Sequence, residues 1–388
     1  MKNKWMIGLL LAAVLTVGAV FSGVTAAFAD TVAGDKPSVK AKAALMLDFD
    51  TGTVVYEHNP TERFQIASMV KIMTLNLIYD EIDAGRLSFD TDINAGPNAT
   101  AMGGSQAFLD TNNTYKAGEL IKSIIVASAN DSCVAMAEHI AGSVEGFVAR
   151  MNDRVRTMGL ANTYFVNCTG LPAPNQYSCA ADVAQMSRTI FARPDFTAHA
   201  GIWMYDFVHP SGRITGLTNT NKLIRFYEGC DGGKTGFTSE ALSCLSATAK
   251  RGNTRFISVV IGAPDSKTRN AEMAKLFNHG FANYETQPVL LKGAEAEGAA
   301  AVSRGKSAEV KGYIAEDVVV FKKKSDGGQY RTETRLAPLC APVKKNDKIG
   351  EIVLYKGDET VRTVDVLAVD SVDKSGYPDI VGNMTKAW

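Results

Sequence analysis

Apolar and polar positions along the chain follow three different patterns, and each predicts a different kind of element. Near the start, Lys2 and Lys4 precede a continuous apolar run from Met6 to about Val20, and Ala27-Phe28-Ala29 stands before Asp30. A positive segment, an apolar segment and a small-x-small site in that order predict a secretory signal over residues 1–29, with an uncleaved anchor as the alternative. After a polar leader, short strand-like runs and helical periods exchange with one another. Residues 43–50 and 53–57 read as two strands, joined by the hairpin signal Asp50-Thr51-Gly52. Helical spacing predicts helices over about 65–84, 117–127, 133–141, 144–158 and 180–192, with Gly85 and Gly142 as stops. Residues 92–118 read as loops with short strands. Three further strands (229–238, 242–250 and 255–262) and a helix over 266–284 complete the pattern. An antiparallel sheet covered by helices, an α+β domain over residues 30–285, accounts for this order. From Thr286 the helical period disappears. Short β-branched runs separated by turns predict a small all-β domain over 286–375, followed by a short tail over 376–388.

Composition narrows the class without choosing a function. The length of 388 residues suits two or three domains, and 46% apolar with 21% charged residues excludes a disordered chain. With 41 basic and 41 acidic residues there is no basic stripe, so no nucleic-acid partner is expected. Cleavage after residue 29 removes two lysines and leaves 39 basic against 41 acidic residues in a nearly neutral, exported protein. No other stretch has the roughly 18 consecutive apolar residues of a membrane span. The six cysteines allow 15 full pairings, of which Cys168–Cys179 is the first expected. Cys133, inside an apolar run, reads as a buried free thiol. None has C-x-x-C spacing, so neither a metal nor a cofactor is expected.

The candidate chemistry begins at Ser68-Met69-Val70-Lys71. At i,i+3 on a helix the two side chains share a face, with Cβ atoms about 5–6 Å apart. A serine hydroxyl needs a base to become a nucleophile. A lysine serves only if burial and neighbouring cations lower its pKa from about 10.4 towards about 7–8. Spacing alone does not decide, because Ser303-Arg304-Gly305-Lys306 has it too. Two further elements follow Ser68 in order: Ser128-Ala129-Asn130 between two helices, and Lys234-Thr235-Gly236 on a strand. By itself Ser-x-Asn reads as a helix cap. As a set, the three elements are those of penicillin-binding proteins and class A β-lactamases. Ser68 would attack a carbonyl carbon and Lys71 take its proton. Ser128 would relay a proton to the leaving amine, and Asn130 would bind the substrate amide and orient Lys71. Lys234 and Thr235 would meet a carboxylate, and Gly236 would leave room for substrate backbone. The N–H groups of Ser68 and Phe237 would form the oxyanion hole.

With these residues the chain resembles the low-molecular-mass penicillin-binding proteins that are serine-type D-alanyl-D-alanine carboxypeptidases. The resemblance runs from about residue 38 to 372. It is carried by Ala67-Ser68-Met69-Val70-Lys71, Ser128-Ala129-Asn130-Asp131-Ser132-Cys133-Val134-Ala135, Asn162-Thr163-Tyr164-Phe165 and Asp231-Gly232-Gly233-Lys234-Thr235-Gly236. It implies a transpeptidase-like domain of the penicillin-binding/β-lactamase fold and a peptidoglycan stem peptide ending in D-Ala-D-Ala as substrate. It also implies covalent inhibition by β-lactams, work in the cell envelope, and a role for Arg269 in holding the terminal carboxylate. Two departures stand out. Ala129 occupies a position where glycine is common, and the tail after the β domain has no amphipathic period to dock on a membrane. A class A β-lactamase is the alternative enzyme, although no Glu-x-x-Leu-Asn stretch lies between Asn130 and Lys234. A non-catalytic penicillin-sensing or wall-binding protein is the other alternative.

Overall fold

The computed structural model describes residues 37–377, so the predicted signal over 1–29 and all but the first two residues of the 376–388 tail lie outside the described residues. A five-stranded antiparallel sheet organises the first part of the chain, in the order Val54–His58, Ala43–Asp48, Thr254–Ala263, Leu242–Arg251, Cys230–Thr238. All six residues of Ala43–Asp48 and nine of the ten in Thr254–Ala263 are buried, so both faces of the sheet are covered. One face packs Leu45, Leu47, Ile257 and Val259 against the helices Lys71–Asp83, Ala117–Ala127, Asn130–Ala141 and Ala180–Phe191. The other packs Met46, Leu245, Phe256 and Val260 against Met273, Phe277 and Phe281 of the helix Ser266–Asn283. Continuous apolar strands are the expected consequence of cover on both sides. Cys230–Thr238 is an edge strand, which leaves one of its sides free to meet other groups.

The helix predicted over 65–84 begins as a 3-10 turn, Ala67–Val70, before the α-helix Lys71–Asp83. The helix expected from 133 starts at Asn130. The region 194–228 holds a helix, Pro194–Ala200, and a hairpin of Met204–Val208 with Ile214–Thr218, neither of which was expected. Cys168 and Cys179 do not pair: both are free, as are the other four cysteines. Cys179 caps the helix Ala180–Phe191, its sulfur accepting the Asp182 N–H at 3.4 Å. Cys168 instead lies buried within electrostatic range of Cys133 and Lys71. Cys133 is the buried free thiol that its apolar run predicts.

Between Tyr284 and Ala368 the chain forms strands joined by turns, with no helix. Tyr284–Leu290 pairs with Val318–Lys323, and a six-stranded sheet follows around a core of Val302, Val310, Ile314, Ile352, Leu354 and Val366. Tyr284 stacks on Phe321, and the Thr286 N–H donates to Thr254 Oγ1 at 2.8 Å, which ties this part to the first sheet. The second Ser-x-x-Lys copy starts at the last residue of the strand Glu295–Ser303, inside this all-β unit. Among the described residues, no helix is long and apolar enough to cross a membrane.

Candidate active site

The nucleophile candidate sits where a loop turns into a helix. Ala67 has φ of 47°, a left-handed conformation that costs a non-glycine residue energy, and it places Ser68 in the 3-10 turn that follows. Two glycines let other chain segments close around that turn. A Cβ at Gly236 would lie 2.5 Å from the Ile66 carbonyl oxygen and 3.1 Å from Ser68 N. A Cβ at Gly170 would lie 2.1 Å from the Ala67 oxygen. Gly236 therefore has a reason to be glycine before any substrate is present: the edge strand docks on the serine turn through it.

Lys71 is wholly buried. Its Nζ lies 3.0 Å from Ser68 Oγ and donates to the Thr169 carbonyl at 2.5 Å. Thr74, on the same helix, donates from Oγ1 to the Cys168 carbonyl at 2.6 Å, and Asn167 Oδ1 accepts the Gly170 N–H at 2.7 Å. These bonds hold the 167–170 loop against the lysine. Burial pushes the Lys71 ammonium down from its ordinary value, while Cys133, Cys168 and, least, Asp131 act in the opposite direction.

Ser128 ends the helix Ala117–Ala127 with φ of 64°, and that left-handed turn projects it sideways. Its Oγ accepts from Lys234 Nζ at 2.8 Å, and Lys234 donates also to the Thr235 carbonyl at 2.9 Å. Ser128 is the C-cap of Ala117–Ala127, its N–H donating to the Ser123 carbonyl, and neither it nor Asn130 is the N-cap of the next helix. Ala129 is the N-cap residue of the next helix, without a side-chain cap bond, and its φ of −58° and ψ of 118° suit any L-residue. Alanine at that position is free of strain. Asn130 Nδ2 donates to the Gly103 carbonyl at 2.7 Å, and its Oδ1 is buried with no partner.

Lys234, like Lys71, is buried and held by neutral acceptors. Burial is the main cause of its strongly lowered pKa, followed by repulsion from Lys71 and then from Arg269. Repulsion between two buried ammonium groups is mutual, so the pair does not readily hold both protons. Thr235 Oγ1 donates to Thr220 Oγ1 at 2.7 Å. The Phe237 side chain is 68% exposed, so only its backbone is a candidate for the site. Arg269 is buried, with Nε 3.1 Å from Asn270 Oδ1 and one terminal nitrogen 3.5 Å from the Cys244 carbonyl. Cys244 lies opposite Gly236 in the strand ladder, which sets the arginine one strand behind the edge.

Ser68, Lys71, Ser128, Lys234 and Thr235 thus come together from a turn, a helix, an inter-helix corner and an edge strand. The structure adds contributors that sequence reasoning did not name: the Thr169 carbonyl, Gly170, Thr220 and the 103–109 loop. A carbonyl leaves no mark in a sequence, although Gly170, just ahead of Leu171-Pro172-Ala173-Pro174-Asn175, was a signal to follow. Asn162-Thr163-Tyr164-Phe165 stands apart from the catalytic candidates. Asn162 N–H and Thr163 Oγ1 both donate to Asp182, and the Phe165 N–H donates to Asn152, so the stretch secures its own loop.

Comparison with known proteins agrees along nearly the whole chain. A family profile described as D-alanyl-D-alanine carboxypeptidase matches residues 30–265, and one described as penicillin-binding protein 5, C-terminal domain, matches residues 284–374. The chain is 38% identical over 351 residues to D-alanyl-D-alanine carboxypeptidase DacF of Bacillus subtilis, covering 90% of each. It is 32% identical over 363 residues to the carboxypeptidase DacD of Salmonella typhimurium, covering 90% of this chain and 91% of that one. Among solved structures, penicillin binding protein 5 from Haemophilus influenzae matches with a TM-score of 0.70 and 31% identity, over 88% of this chain and 100% of that one.

Proposed function

Since the chain belongs to the D-alanyl-D-alanine carboxypeptidase family, we propose that it removes the terminal D-alanine from peptidoglycan stem pentapeptides through an acyl-enzyme on Ser68. The observation that carries this reading is the paired contact of Lys71 Nζ with Ser68 Oγ at 3.0 Å and of Lys234 Nζ with Ser128 Oγ at 2.8 Å. Unprotonated Lys71 takes the Ser68 proton as Oγ attacks the carbonyl carbon of the penultimate residue. The resulting oxyanion meets the N–H groups of Ser68 and Phe237, each worth about 3–4 kcal/mol. Collapse breaks the C–N bond, and Ser128 passes a proton, returned through the lysines, to the departing amine of D-alanine. Water then attacks the ester, Lys71 takes the water proton, and Ser68 is restored.

Electrostatics give the order of events a reason. The terminal carboxylate of the substrate docks towards Lys234, Thr235 and Arg269, and an anion there favours a protonated Lys234. The shared repulsion then keeps the proton off Lys71, where a base is needed. A β-lactam enters the same path, but its leaving amine stays tethered to the acyl group and blocks the deacylating water. We assign peptidase chemistry to residues 30–285 and place the protein in the cell envelope after export, in keeping with its near-neutral mature charge. The test is D-alanine release from a pentapeptide by wild type and Ser68→Ala. Release by wild type alone is expected; equal release by both ends the proposal.

A further inference from the structure

We propose that Asp131 is a positioning residue for this reaction: its carboxylate holds the 103–109 loop as the seat of the Asn130 amide and puts a negative charge within electrostatic range of Lys71. The inference rests on the serine-peptidase reading above. Asp131 is fully buried, one residue past Asn130 at the start of the helix Asn130–Ala141. Its Oδ1 accepts the Ala107 N–H at 3.0 Å and the Ser132 N–H at 2.9 Å, and its Oδ2 accepts the Leu109 N–H at 3.1 Å. The two loop bonds flank Phe108, whose φ of 62° is one that a bulky residue resists. The carboxylate therefore clamps a strained turn from both sides.

The other end of the same loop carries Asn130. The Asn130 N–H donates to the Ser105 carbonyl at 2.7 Å, and Nδ2 donates to the Gly103 carbonyl at 2.7 Å. Between them Gly104 has φ of 80°, and a Cβ there would come within 2.9 Å of Nδ2. With the amide nitrogen engaged by the loop, Oδ1 is the end left without a partner. A neutral asparagine at 131 has one acceptor oxygen and would set an NH2 group against an N–H of the loop. A carboxylate serves both ends of the clamp, and its three N–H donors offset the cost of burying it. Its charge acts on Lys71 in the sense that favours the ammonium. Cys133 also faces Lys71 from the same helix, Cys168 from the 167–170 loop and Lys234 from the edge strand, with Arg269 acting on Lys234.

The test follows acylation by a fluorescent penicillin and D-alanine release from a pentapeptide across pH, for wild type, Asp131→Asn, Asp131→Glu and Gly104→Ala. Asp131→Asn is expected to slow acylation about 100-fold through a displaced Asn130. It is also expected to move the acid limb of kcat/KM to lower pH, because Lys71 loses an anion that helps it keep a proton. Asp131→Glu keeps the charge and hence the limb, yet stays slow because the loop is displaced. Gly104→Ala slows the reaction without moving the limb. Wild-type rate and limb in Asp131→Asn overturn the proposal. A rate loss that tracks lost thermal stability, with the limb unmoved, overturns it as well. Should Asp131→Asn not fold, a wild-type rate in Asp131→Glu overturns the loop role. A wild type that never acylates defeats the peptidase reading and this role together.

Discussion

In Ser68-Met69-Val70-Lys71 the two spacer residues are buried and the chain follows a helical turn, so the serine and lysine face one another at 3.0 Å. In Ser303-Arg304-Gly305-Lys306 the serine ends a strand, and Arg304 takes a φ of 57° that turns the chain away. Ser303 donates to the Leu339 carbonyl at 3.0 Å, the Lys306 N–H donates to the Asp373 carbonyl, and the Lys306 side chain stands in water. Spacing is the same in both segments. What differs is the wall around the lysine and the presence of a second cation. A dry wall lowers the cost of an unprotonated amine relative to the ammonium, and Lys234 adds to that bias.

The largest effect is expected where the base is kept in place but denied its neutral form. Lys71→Arg retains length and charge, and a guanidinium does not deprotonate in proteins. Penicillin acylation and D-alanine release should fall about 10³–10⁴-fold, while Lys306→Arg should leave both unchanged. Acylation rates that survive in Lys71→Arg would remove the base from the account. Next in size is Gly236→Ala. The added carbon meets the Ile66 carbonyl at 2.5 Å, so the edge strand must move off the serine turn. Stability should drop by about 1–3 kcal/mol in thermal unfolding, with acylation reduced about 100-fold.

Lys234→Ala sharpens the electrostatic half of the comparison. Loss of one charge-assisted contact should raise KM for a D-alanine-terminated peptide about 10-fold or more. The pH dependence gives the sign. With Lys71 as the proposed base, activity should rise with pH as it loses its proton, and removal of the neighbouring cation should make that proton harder to lose. The acid limb should therefore move to higher pH in Lys234→Ala, opposite to the shift expected for Asp131→Asn. The smallest effect belongs to the second copy: Ser303→Ala removes one exposed hydrogen bond and should stay within about 0.5 kcal/mol of wild type, at full activity.

Much of this arrangement was legible from residues alone, and the parts that were not share a physical cause. Long apolar periods such as 117–127 and 255–262 announced their elements because burial dictates side-chain type. Ser68, Lys71, Ser128 and Lys234 were legible because their chemistry needs specific side chains. The left-handed conformations of Ala67 and Ser128 were not, since neither residue type demands one. The Thr169 carbonyl and the 103–109 loop act through backbone atoms, which any residue supplies. The short hairpin at 204–218 was not legible either, because burial alternates along Met204-Tyr205-Asp206-Phe207-Val208 while residue type does not: Met204 and Val208 are exposed and Phe207 is buried. Cys168 and Cys179 do not form the pair first expected of them, because the fold makes Cys179 a helix cap and gives Cys168 a place beside Lys71.

The central claim is that environment, and not spacing, makes one of two equivalent serines a nucleophile. It is tested most directly by locating the covalent adduct: the wild-type protein is treated with a penicillin, digested, and mapped by mass spectrometry. The account predicts one added acyl group, on Ser68, with Ser303 unmodified and no adduct in Ser68→Ala. An adduct on another residue, or none in the wild type, would contradict it.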